Sequence, residues 1–174
     1  MSGRRIEPFL LALGALSVLA FAFFNERNAA ALVMCALCIA GLVGGRIAGF
    51  SNRALVPLGL GLAAILWFVW IDPVASGPKT SALAHFGGGA LVGWALSEFL
   101  RTRIAWPYWA AFALTAAFGV TVLWELGEYL GDRTLGTALQ PNRYDSAFDI
   151  FFGCLGGTVT VALAWLFAPR AARP

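Results

Sequence analysis

Apolar runs of about twenty residues alternate along this chain with short polar interruptions. The runs cover about residues 8 to 24, 29 to 49, 54 to 71, 81 to 100, 107 to 130 and 146 to 168. Between them stand Asn25-Glu26-Arg27-Asn28, Ser51-Asn52-Arg53, the stretch from Pro73 to Lys79, and Arg101-Thr102-Arg103. A helix rises about 1.5 Å per residue, so runs of this length suit a hydrocarbon core of about 30 Å. Within lipid every backbone polar group must be satisfied internally, which favours helices for apolar runs of this kind. The pattern predicts an all-α, polytopic membrane protein with six transmembrane helices, forming a single transmembrane domain over residues 1 to 174. No stretch is left over for a soluble domain.

The polar positions inside the runs are unevenly shared. The first three runs hold ionisable residues only near their ends, and Trp67, Trp70, Trp106 and Trp109 suit the aromatic belts of the two interfaces. The fourth run carries the single histidine, His85, with Gly88 and Gly89 on the same face at i+3 and i+4. The fifth ends in Glu125, Glu128 and Asp132, spaced i, i+3 and i+7, which makes one acidic stripe. The sixth opens with Asp145 and Asp149, and the same face continues through Gly153 and Gly156. Small-residue faces let helix backbones approach closely. Packing of the fourth and sixth helices through these glycines is expected to carry His85 and Asp149 together, beneath a loop from Asp132 to Tyr144 that supplies Arg133, Asn142 and Arg143 as a lid. On the inner halves of these three helices only Glu98 is acidic.

Composition supports the membrane reading, with 60% hydrophobic and 12% charged residues against the roughly 45 to 50% apolar content of soluble domains. The positive charges orient it. With six crossings, eight arginines fall on the side of the termini and four cations, Arg27, Lys79, Arg133 and Arg143, on the other. This bias places both termini in the cytoplasm of a multi-pass protein of the bacterial inner (cytoplasmic) membrane. The net charge of +3 then reflects topology and contact with membrane lipids, and no basic cluster points to nucleic acid. Arg4 and Arg5 before the first run, with Ala20-Phe21-Ala22 inside it, resemble a cleavable signal, but the run is read as a retained first helix. Cys35, Cys38 and Cys154 read as small apolar packing residues, since the C-x-x-C lacks both the strand-to-helix setting of a redox motif and neighbouring histidines.

The outer ends of the last three helices thus hold five carboxylates against Lys79, Arg133 and Arg143, with His85 among them. Surplus acids at low dielectric share protons or hold a cation. A carboxylate as deep as Glu125 costs at least about 2.5 kcal/mol on insertion scales, so it is expected to face protein or a watery cavity. Three functional readings follow. His85, Glu125, Glu128, Asp145 and Asp149 form a donor set suited to zinc, manganese or magnesium, with His85, Glu125, Glu128 and Asp149 as the candidate catalytic groups of a hydrolase. Alternatively, the pocket binds a lipid-linked or glycan group of the envelope, with Lys79, Asp132, Arg133, Asn142, Arg143, Tyr144 and Asp145 as ligand-binding candidates. Proton-coupled transport is the third, weakened by the absence of an internal repeat or a helix broken near the midplane. A different class remains beside these. The acids would then serve only helix-helix contacts, and the glycine faces would dock other membrane subunits in a non-catalytic scaffold.

The succession Lys79, His85, Trp124-Glu125, Glu128, Tyr144-Asp145, Asp149, Gly153 and Gly156-Gly157 resembles the VanZ-like small bacterial membrane proteins and the YjdF-type integral membrane proteins. The YjdF-type pattern is the closer. Trp124-Glu125-Leu126-Gly127-Glu128 resembles its W-E-x-x-E, and Asp145-Ser146-Ala147-Phe148-Asp149 resembles its aspartate pair with serine in place of threonine. The resemblance covers roughly residues 79 to 165. It implies an envelope-facing membrane protein, and the association of VanZ-like proteins with glycopeptide resistance implies a role at the outer face, without naming a reaction.

Overall fold

The computed structural model describes residues 6–25, 28–71, 78–106, 108–137, 139–140 and 143–168. Within them lie six helices, α1 (Glu7–Asn25), α2 (Ala29–Ile47), α3 (Asn52–Ile71), α4 (Pro78–Leu100), α5 (Tyr108–Leu135) and α6 (Arg143–Phe167). Five are long and apolar enough to cross a membrane, and α4 is not among them. Ser81, His85, three consecutive glycines, Ser97 and Glu98 dilute its apolar character. Its position explains the composition. Because α4 packs against α3, α5 and α6, its sides meet protein and need not be lipophilic all round.

Two apolar cores hold the bundle. Phe23, Leu16, Met34, Leu42 and Leu55 tie α1, α2 and α3 together, with Cys35 and Cys38 buried among them as free thiols. Between α5 and α6, Trp109 packs with Ala113 and Val161, and Trp106 stacks on Trp165 with centroids 4.9 Å apart. Trp109 therefore departs from the interface belt expected of it. It is 3% exposed, because α6 covers the face on which it lies, while Trp67 is 55% exposed.

The tightest helix pair is α4 with α6, and glycine is the cause. A Cβ at Gly89 would overlap the carbonyl oxygen of Gly153, one at Gly156 would overlap that of Phe86, and one at Gly93 would lie 3.0 Å from that of Gly157. Gly88 corrects the expected seam. Nothing lies within 4 Å of its virtual Cβ, and it opens onto a cavity. A rotation of 100° per residue puts Gly88 off the contact line that Gly89 and Gly93 follow.

Two turns set the opposite ends of the bundle. At one, Gly49 adopts a φ of 89° and its carbonyl accepts a hydrogen bond from Arg103 at 3.1 Å, clamping the α2–α3 turn to the end of α4. Phe50 stacks on Phe99 beneath this clamp with centroids 4.0 Å apart. At the other, α5 continues to Leu135, five residues beyond the expected 130, and stops at Gly136 with a φ of 66°. Asp132 explains the extension. Its carboxylate accepts hydrogen bonds from Thr137 Oγ1 at 2.5 Å, Leu139 N at 2.6 Å and Gln140 N at 2.8 Å, folding the following chain back over the helix end. The lid expected from Asp132 to Tyr144 is corrected accordingly, because Arg133 belongs to the helix and lies over the Tyr129 ring at 5.5 Å.

Candidate functional site

The glycine seam brings α4 so close to α6 that polar side chains one turn above it meet. His85 Nδ1 stands 3.1 Å from Asp149 Oδ1, and on the other side of the ring Nε2 stands 3.3 Å from Glu125 Oε1 and 4.0 Å from Glu128 Oε1. Glu125, Glu128 and Asp149 are 4%, 7% and 4% exposed. Two helices, α5 and α6, thus place three buried carboxylates around the imidazole of a third, α4.

The surrounding bonds distinguish the two ring nitrogens. Nδ1 also lies 3.0 Å from the Ser81 carbonyl oxygen, and Ser81 Oγ donates to Asp149 Oδ1 at 3.0 Å. With acceptors on this side, Nδ1 is assigned the proton. Nε2 then points a lone pair at Glu125 and Glu128, an arrangement of like partial charges that is stable only with a proton or a cation between them. Each acid has its own support. Trp124 Nε1 donates to Glu128 Oε1 at 2.8 Å, and Gln140 Nε2 donates to Glu125 Oε2 at 3.2 Å and to the Glu125 carbonyl at 2.9 Å. Glu125 Oε1, in contrast, is buried with no hydrogen-bond partner among the described residues and looks toward His85.

This donor set can hold a metal ion. One ligand atom from each of His85, Glu125 and Asp149 lies within 4.8 Å of the others, a set that counts Asp149 as a donor and leaves out Glu128 and Asp145 of the five expected. An imidazole whose far nitrogen is fixed by a carboxylate, with further carboxylates beside the near nitrogen, is the usual arrangement of histidine at divalent cations.

The other candidates distribute around this centre. Asp145, on the first turn of α6, joins Asp149 in lining the same cavity. Asp132 anchors the loop that carries Gln140 and, among the described residues, reaches the centre through that residue. Arg133 lies over Tyr129, Tyr144 is 63% exposed, and Glu98 pairs with Arg101 at 2.6 Å, near the far end of α4. Asn142 lies outside the described residues, as do the side chains of Lys79 and Arg143.

Sequence reasoning missed Ser81 and Gln140 as site residues. Ser81 had a readable signal, lying one turn before His85 at i−4. Gln140 had none, since only the fold imposed by Asp132 brings it to Glu125. No family model, no curated protein and no solved structure matches the chain.

Proposed function

We propose that this chain is a six-span protein of the bacterial cytoplasmic membrane, both termini inside, whose outward-facing histidine-carboxylate cluster holds a divalent cation. Through that cluster it binds or hydrolyses a polar group carried by an envelope lipid or glycan. One observation carries the reading: His85 sits between Glu125 and Asp149 at 3.3 and 3.1 Å, deep in a membrane protein, with Glu125 Oε1 lacking a hydrogen-bond partner among the described residues. An acid buried there is costly unless a proton on His85 or a bound cation balances it, and the cation is the reading proposed. The sixth crossing is α4, whose 23 residues span about 34 Å. The resemblance of Trp124 to Glu128 and of Asp145 to Asp149 to the YjdF-type motifs supports the envelope assignment.

Within this reading each residue has a task. Asp149 and the Ser81 carbonyl orient the imidazole, Glu125 and Glu128 supply anionic oxygens beside Nε2, and Gln140 holds Glu125 in place. Zinc, manganese or magnesium suits such oxygen and nitrogen donors, and a bound ion would supply Lewis acidity toward a phosphoryl or carbonyl oxygen. The scaffold alternative has less to stand on. Gly89, Gly153 and Gly156 are spent on contacts within the chain and offer no face to a second subunit.

Elemental analysis of the purified protein tests the proposal. A stoichiometric divalent metal is expected, lost in His85→Ala. A metal-free protein in which Glu125→Gln mainly lowers stability would return the cluster to helix bonding.

A further inference from the structure

The cluster caps one end of an elongated cavity of about 750 Å³. Along α4 the lining runs from Ser81 to Leu96, fifteen residues or about 22 Å of helix. Its polar end is formed by His85, Asp145 and Asp149, and its far end reaches Phe50, the ring that stacks on Phe99. Between these ends the walls are aliphatic, with Leu62 and Ile65 of α3 facing Val92 of α4. Gly88 and Gly41 add width, since neither has an atom within 4 Å of where a Cβ would stand.

Such a volume lies within the roughly 300 to 1,000 Å³ of small-molecule sites, which are likewise mostly apolar with a few convergent polar groups. Its shape is selective. A water-soluble sugar would engage the carboxylates and leave the aliphatic shaft without partner atoms, forfeiting the dispersion contacts of its walls. A hydrocarbon chain fills the shaft and presents its polar end to His85. The surrounding solvent supplies that molecule, because helices of this apolarity lie among lipid chains.

We propose that the cavity takes one hydrocarbon chain of a membrane lipid whose headgroup lies at His85, so that the ligand of the cluster is an amphiphile and not a free glycan. This rests on the functional reading above for the chemistry at the headgroup, while the chain assignment stands on the cavity itself.

Vesicles of phosphatidylethanolamine and phosphatidylglycerol, doped with a phospholipid carrying a mid-chain diazirine, provide the test. Photolysis of the full-length protein in these vesicles should label cavity residues such as Leu62 and Val92, as well as the outward Phe112 and Leu123, which are 58% and 65% exposed. Gly88→Leu and Gly41→Leu, which plug the shaft at two separate points, should abolish cavity labelling and leave outward labelling intact. Metal content of the same samples separates the two proposals. A metal-bearing protein without cavity labelling overturns the chain assignment alone, whereas cavity labelling without metal upholds it and overturns the cation reading. Cavity labelling that survives in whichever plug variants keep their outward labelling also overturns the chain assignment.

Discussion

His85 is faced by a carboxylate at each ring nitrogen, and the two sides are not equivalent. Asp149 shares Nδ1 with the Ser81 carbonyl and takes a hydrogen bond from Ser81 Oγ, so its oxygen is committed. Glu125 Oε1 has no such commitment. Under the proposed cation reading, Glu125 is then the ligand beside Nε2 and Asp149 the residue that positions the imidazole. By analogy with carboxylates that orient metal-bound histidines, Asp149→Asn should weaken affinity for zinc or manganese about 10- to 100-fold while keeping one site per chain. Glu125→Gln should remove the site, and titration calorimetry on the purified protein separates the two. Equal losses from both variants would mean that Asp149 is itself a ligand. The acids were legible in the sequence because i, i+3 and i+4 spacings place them on faces irrespective of tertiary detail. Gln140 was not, because a loop residue has no periodicity from which to infer its neighbour.

At the scale of the helices, the α4–α6 seam governs the site geometry. Gly89 and Gly156 stand where any Cβ meets a backbone carbonyl, which cannot rotate aside as a side chain can. Gly89→Ala should push the helices apart, cost about 1 to 3 kcal/mol as overpacking does, and lower the thermal midpoint in detergent. Gly88→Ala, one residue away with open space around it, should leave the midpoint unchanged or raise it slightly through better helix propensity. A metal-binding defect in Gly89→Ala without one in Gly88→Ala would show that the seam sets the distance from His85 to Asp149. The glycine faces were visible as a pattern, but which of two adjacent glycines makes contact depends on helix rotation, and the sequence does not specify it. The end of α5 was hidden for another reason. Asp132 reads as an ordinary interfacial charge until its three acceptor bonds to residues 137, 139 and 140 are seen.

The whole molecule has a basic end and an acidic end. Arg46, Arg53, Arg101 and Arg103 gather where the α2–α3 turn meets the end of α4, and the hydrogen bond from Arg103 to the Gly49 carbonyl holds both turns at one side. The buried acids and the Gly136 turn lie at the opposite ends of α4, α5 and α6. This separation was readable from the six apolar runs and the arginine count, since hydropathy and charge bias act over whole segments. The cavity was not readable, because it is a deficit of packing among helices that are distant in sequence. On the proposed topology the arginine-rich turns stay on the cytoplasmic side, which would turn the cluster outward, and accessibility labelling tests this. In a background with Cys35, Cys38 and Cys154 replaced by alanine, a membrane-impermeant thiol reagent added to intact cells should label Leu135→Cys, a position 61% exposed at the end of α5. Thr102→Cys, exposed at the arginine-rich turn, should react only after the membrane is opened. Labelling of Thr102→Cys alone in intact cells would invert the protein and point the cluster at cytoplasmic ligands. Labelling of both would require an even number of crossings between them, making α5 a helix that does not span.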